Sequence, residues 1–240
     1  MEEQIPNQAH LQEASPWPQY SYPPSHLNSQ YISNPAFPKK VQSKPSNAIA
    51  MGLFAFGVTT WVNSIYTIRS GIMSNVPSNM VVGVAVFYGG LVQLIAGLWS
   101  LYDGTSFDAA AFASFGSFWI GYGFTFLPST GVLQAYASLP PSELRIANGI
   151  LLMGWAIFAI MLWIAAIKST RCQLALLSLV VLSLLTNAIG EFLASGVCRV
   201  LAGVCGVLAA SIAFYMGLAS MLEADGAALR LPTFPIEKEE

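Results

Sequence analysis

NMVVGVAVFYGGLVQLIAGLWSL, residues 79–101, carries no charge, and the nearest charged side chains on either side are Arg69 and Asp103. At ~1.5 Å per residue, a helix of this length crosses the ~30 Å hydrocarbon core of a bilayer. Comparable uncharged windows lie between Lys44 and Arg69, Asp108 and Glu143, Arg145 and Lys168, Arg171 and Glu191, and Arg199 and Glu223. The spacing predicts an all-α membrane protein with six transmembrane helices, at about 48–68, 79–101, 108–128, 145–167, 172–190 and 200–222. Breakers fall between the windows: Pro77, Asp103-Gly104, Pro128 with Pro140-Pro141, and Gly196.

The composition agrees. Of 240 residues, 55% are hydrophobic and 9% charged, against ~25% charged in a soluble domain. A formal charge of -2 gives no reason to expect nucleic acid as a partner. Cys172, Cys198 and Cys205 are odd in number and form no CxxC or Cys/His cluster, so neither a disulfide framework nor a metal site is expected. Residues 1–46, rich in Pro, Gln, Ser, Asn and Tyr, bury too little apolar surface to offset the entropy of ordering and are expected to be a disordered tail. No basic segment followed by an apolar one marks a cleaved signal peptide, so the first span is expected to direct insertion. Domain limits follow: tail 1–46, six-helix domain 47–222, C-terminal tail 223–240.

Six spans put both termini on one side, with Lys39, Lys40, Lys44, Lys168, Arg171, Arg230 and Lys238, leaving Arg69, Arg145 and Arg199 opposite. The positive-inside rule then predicts cytoplasmic termini.

Several spans carry polar or small residues in stripes. In span one, Gly52, Phe56, Thr59 and Asn63 share a helical face, with Thr60 adjoining. Uncharged hydroxyls and an amide replace part of an anion's hydration without trapping it as a fixed cation would; alternatively the threonines back-bond to their own helix and Asn63 bonds a neighbour. In span two, Gly83, Gly90 and Gly97 recur every seven residues, which suits close helix packing, and Gln93 lies beside them. An amide there faces protein or water, either in a path or in an interhelical hydrogen bond. Span three offers Ser114, Ser117 and Gly121 among aromatics; span five offers Leu179, Ser183, Thr186 or Asn187, and Gly190. Trp61, Trp99 and Trp119 suit interfacial belts or helix contacts.

No catalytic constellation accompanies these stripes. His10 and His26 lie in the tail, no HExxH, Walker A or GxSxG motif occurs, and no span holds an acidic pair, so an enzyme is not expected.

FYGGLVQLIAGLWSLYDGTSFDAAAFASFGSFWIGYGFTFLPSTG (87–131) resembles the second and third spans of the YaaH-type acetate uptake family of fungi and bacteria. ILLMGWAIFAIMLWIAAIKSTR (150–171), LTNAIGEF (185–192) and AGVCGVLAASIAFYMGLASM (202–221) resemble its later spans, so the similarity covers about 47–222. The resemblance implies six-helix protomers in a homo-oligomer, commonly a hexamer, with a path through each protomer for acetate or another short carboxylate, moved with protons or as an anion channel in the plasma membrane. It implies no cofactor. The family's constriction falls on Phe56, Phe115 and Leu179, and its polar positions on Thr59, Thr60 and Gln93. Two departures stand out. Asn47-Ala48-Ile49-Ala50-Met51-Gly52-Leu53 replaces a signature with prolines at the second and fourth positions, and Ser100 stands where members commonly carry Glu. The second leaves open a different proton coupling, the two together leave open a non-transporting sensor, and the first bears on how Asn47 presents its amide at the entrance; a larger carboxylate or ammonia as substrate stays open as a separate reading.

Overall fold

The computed structural model describes residues 48–73 and 79–236. The expected disordered tail and Asn47 lie outside the described residues. Six long helices carry the fold: α1 (Ala48–Ile72), α2 (Val81–Asp103), α3 (Ser106–Thr125), α4 (Pro141–Ala165), α5 (Arg171–Phe192) and α6 (Gly196–Ala224). All but α3 are long and apolar enough to cross a membrane. Its 20 residues include Asp108, Tyr122, three serines and three glycines, which dilute its hydropathy without shortening it.

Local chemistry sets the helix ends. Thr170 and Ser195 precede α5 and α6 in extended conformation, and their hydroxyls accept from the Gln173 and Cys198 N–H groups at 3.1 and 3.4 Å. Each satisfies one of the N–H groups that a helix start leaves orphaned. Pro141 opens α4, where a missing N–H removes no helical bond. Gly104 ends α2 at φ 84°, a left-handed turn that a side chain disfavours.

The helices pack in the order α3, α2, α1, α6, α5, α4. Aromatic contacts between α3 and α4 close the ring: Phe115 lies against Trp155 and Phe158, and Phe118 against Trp155. On the other side Gly203 and Gly206 let α6 rest directly on Ser64 of α1. Beyond Ala224 the chain turns at Gly226 and runs back across the α4–α5 junction, where Arg171 N–H donates to Phe234 O (2.9 Å) and Tyr215 Oη–H to Pro232 O (2.7 Å). The expected C-terminal tail is thus held against the helices through residue 236.

The middle of α2, Val84–Val92, is a π-helix. Buried positions recur there every fourth residue, at Val81, Ala85, Gly89 and Gln93. Four residues of an α-helix overshoot one turn by ~40°, and the wider i→i+5 turn brings these positions back into line. The π segment also breaks the expected glycine face. Gly90 and Gly97 pack against Ile120 and Ala113 of α3, whereas Gly83 is exposed with open space around it.

Candidate functional site

Three cavities follow one another through the helix ring. The first, at the end where α1 begins and α6 finishes, has a volume of about 200 Å³ and lies between Ile49, Leu53, Gln93, Phe107, Asp108, Phe112, Gln173 and Met216. The second, of about 70 Å³, is lined by Thr60, Asn63, Ser64, Thr67, Trp119, Asn148, Ser183 and Asn187 among others. These two share three lining residues, Phe56, Phe115 and Val180, each 6% exposed. The third, of about 300 Å³, meets the second at Tyr122 and Asn148 and is lined further by Arg145, Glu191 and the short helix Val132–Tyr136.

The junction of the first two cavities is aromatic. The Phe56 and Phe115 ring centroids are 6.0 Å apart with a 57° tilt, so the rings abut and leave no wide opening. Phe115 is further held by Trp155 at 6.1 Å and Phe158 at 5.8 Å. A constriction of this kind excludes bulk water and hydrated ions.

Charge is distributed unevenly along the series. Among the described residues, no charged side chain lines the second cavity, Asp108 alone lines the first, and Arg145 and Glu191 line the third. The donors of Thr67 and Ser183 are already engaged, with Asn63 O at 2.9 Å and Ala202 O at 2.8 Å. By contrast, Thr60 Oγ1 and Trp119 Nε1 in the second cavity and Gln93 Oε1 in the first are buried without a partner. Each such group costs about 1–3 kcal/mol when dry, so a polar occupant of the cavities, water or ligand, is favoured at these points. Among the described residues no group of three or more His, Cys, Asp or Glu comes together to hold a metal.

The residues singled out from the sequence distribute as follows. Phe56 and Phe115 meet at the junction; Thr60 and Asn63 line the second cavity; Gln93 lines the first at 1% exposure. Thr59 turns away. Its hydroxyl donates to Val84 O of the π segment at 3.4 Å, and its side chain packs on Gly89. Leu179 packs against the apolar core and lines none of the three cavities, while its neighbour Val180 lines two. Ser117 is exposed and bonds Ala113 O of its own helix, Gly121 is exposed, and Thr186 bonds back to Leu182 O. Trp61 and Trp99 are half exposed and Trp119 is buried. Ser100 is 1% exposed, with an unpartnered hydroxyl, and lines none of the cavities.

Sequence reading missed Val180, Asp108 and the rings of Trp155 and Phe158 behind Phe115. A signal existed for Val180. Stepping back three residues from Ser183 reaches it, whereas stepping back four reaches Leu179, and both steps keep to one helical face.

Comparison with known proteins fits this architecture. Over 190 residues the chain is 40% identical to ammonia transport outward protein 2 of Saccharomyces cerevisiae, covering 78% of this chain and 66% of that protein. It is 30% identical over 228 residues to acetate permease A of Emericella nidulans, covering 88% and 76%. The structure of the bacterial acetate channel SatP superposes with a TM-score of 0.67 at 25% identity, covering 79% of this chain and 99% of that one. The match to the description of the GPR1/FUN34/yaaH family runs over residues 30–238. A membrane protein with transmembrane helices and relatives that carry acetate, the chain belongs to the GPR1/FUN34/yaaH family.

Proposed function

We propose that this protein moves acetate or a similar small monocarboxylate across the plasma membrane, along the series of three cavities in each protomer. The observation that carries this reading is the pair of unpartnered donors, Thr60 Oγ1–H and Trp119 Nε1–H, in a cavity that holds no fixed charge. Neutral donors stabilise a carboxylate in passage, while a lysine or arginine would hold it. Phe56, Phe115 and Val180 form the constriction, Leu179 backs it, and Thr60, Asn63 and Gln93 line the path. Thr59 keeps α1 against α2. In this reading α3 crosses the membrane as the sixth span, its polar residues tolerated by burial in the ring, and both termini are cytoplasmic. The exposed apolar face of α2, with Phe87, Leu91, Leu98 and Trp99, meets lipid or neighbouring protomers of a homo-oligomer, a hexamer.

Uptake of an anion against a cytoplasm-negative potential costs about 2.3 kcal/mol per 100 mV. Import therefore draws on protons or a substrate gradient, and export runs with the potential. Labelled acetate flux into reconstituted vesicles, with pH gradient and membrane potential varied separately, tests the reading. Flux that follows the pH gradient at zero potential is symport; flux that follows potential alone is an anion conductance; no flux above protein-free vesicles refutes the proposal. Gln93→Ala is expected to lower acetate flux at equal membrane insertion, and unchanged flux removes Gln93 from the path.

Ammonia is the second reading, favoured by the name of the 40% identical relative and by a second cavity without charge. Ammonia flux that is insensitive to potential, without carboxylate flux, would select it.

A further inference from the structure

We infer that Asp108 is the charge filter of this path: ionised, its carboxylate excludes carboxylate anions from the first cavity, and protonated, it admits them. The inference rests on the carboxylate path proposed above and adds a selectivity residue to it.

Asp108 lies in the first turn of α3 and is the single charged side chain among the described residues lining the first cavity. Among the described residues, the surrounding elements line the cavity with nothing that neutralises it. The cavity receives Ile49 and Leu53 from α1, Gln93 from α2, Gln173 from α5 and Met216 from α6, none of which titrates. Phe107, from α3 itself, is likewise apolar, and the Thr105 side chain beside Asp108 is a neutral hydrogen-bonding partner. Gln93, 1% exposed with an unpartnered Oε1, marks the same cavity as a place with a polar occupant. An anion on its way to the Phe56–Phe115 junction therefore shares this cavity with a carboxylate and with no compensating cation among the described residues.

The third cavity differs, because Arg145 lines it together with Glu191. Repulsion is thus concentrated at one end of the path. At an effective dielectric of ~20 and a separation of ~6 Å, two like unit charges disfavour joint occupancy about 100-fold. Protonation of Asp108 removes that penalty without opening the aromatic junction, so the filter selects by charge and the junction by size.

The test uses full-length protein in vesicles at equal pH on both faces, with chloroacetate as the probe, since it stays ionised from about pH 8 to about pH 5. Wild-type flux is expected to be low at about pH 8 and to rise as the pH falls toward the point at which Asp108 takes up its proton. Asp108→Asn and Asp108→Ser are expected to pass chloroacetate at about pH 8 about tenfold or more faster than wild type and to stay flat with pH, a gain that only folded protein can show. A wild-type pH profile retained in both variants overturns the filter while leaving the path intact. Loss of flux at every pH in both variants, with Asp108→Glu active, also overturns it, because a filter is dispensable for passage. Absence of wild-type flux of both chloroacetate and acetate overturns the carboxylate reading itself, and the filter with it.

Discussion

Replacing Thr60 by Val separates a path residue from a packing residue, because the two roles move stability and flux in different directions. Thr60 Oγ1 is buried in the wall of the second cavity without a partner. Val has nearly the same shape and removes the unmet hydroxyl, which relieves a penalty of about 1 kcal/mol, at the low end of the range for such groups. The folded protein is therefore expected to be as stable as wild type or slightly more so. Flux should move the other way. A hydrogen bond from a neutral hydroxyl to a carboxylate is worth about 1.5–3 kcal/mol, which at ~1.4 kcal/mol per decade is a loss of about tenfold to 100-fold in flux at limiting acetate. Thermal melting in detergent reads the first effect and labelled acetate uptake into vesicles the second. Unchanged flux with unchanged or raised stability refutes a substrate-facing hydroxyl; a fall in stability of 1 kcal/mol or more refutes the reading of Thr60 as unpartnered.

Two glycines of α2 give opposite expectations. A Cβ on Gly89 would lie 2.6 Å from Thr59 Cβ, so Gly89→Ala is expected to destabilise by about 1–3 kcal/mol, seen as a lower melting temperature. Gly83→Ala meets open space and is expected to be neutral or to stabilise by up to about 1 kcal/mol through helix propensity. Val180→Phe adds a third ring at the junction and is expected to abolish acetate flux while the protein still melts cooperatively; retained flux places the constriction elsewhere.

The long helices were legible in the sequence because a bilayer imposes one requirement, an uncharged run of sufficient length, and charge positions alone reveal it. That is why helices stand at all six expected windows, with α3 meeting the length but not the hydropathy. The alignment of side chains within a span was less legible. Gly83, Gly90 and Gly97 share a face only if the intervening residues are α-helical, and the π segment between the first two rotates them apart. Thr59 and Thr60 show the same limit. They are adjacent and chemically identical, yet one donates to a π-segment carbonyl and the other lines a cavity. Hydropathy treats them alike; the rotation of α1 about its axis, set by Gly89 and Ser64 against their neighbours, distinguishes them. Asp108 escaped notice as a site residue because, in sequence, it reads as a boundary between windows.

The junction's two rings are not equally restrained, so an opening of the proposed carboxylate path would fall unequally on them. Phe115 contacts Phe158 and Trp155 of α4 as well as Phe56, and Trp155 is itself braced by Phe118 and Phe158. Phe56 makes one ring contact among the described residues, with Phe115. Aromatic pairs are each worth about 0.5–1.5 kcal/mol beyond their buried area, so withdrawing Phe115 breaks three such contacts and withdrawing Phe56 breaks one. The lower-cost opening therefore moves Phe56, on α1, against a fixed wall formed by α3 and α4. Thr60 lies one helical turn further along α1 and lines the next cavity. A displacement of this part of α1 would shift the closing ring and an unpartnered donor together, coupling the opening of the junction to the position at which a carboxylate is next received.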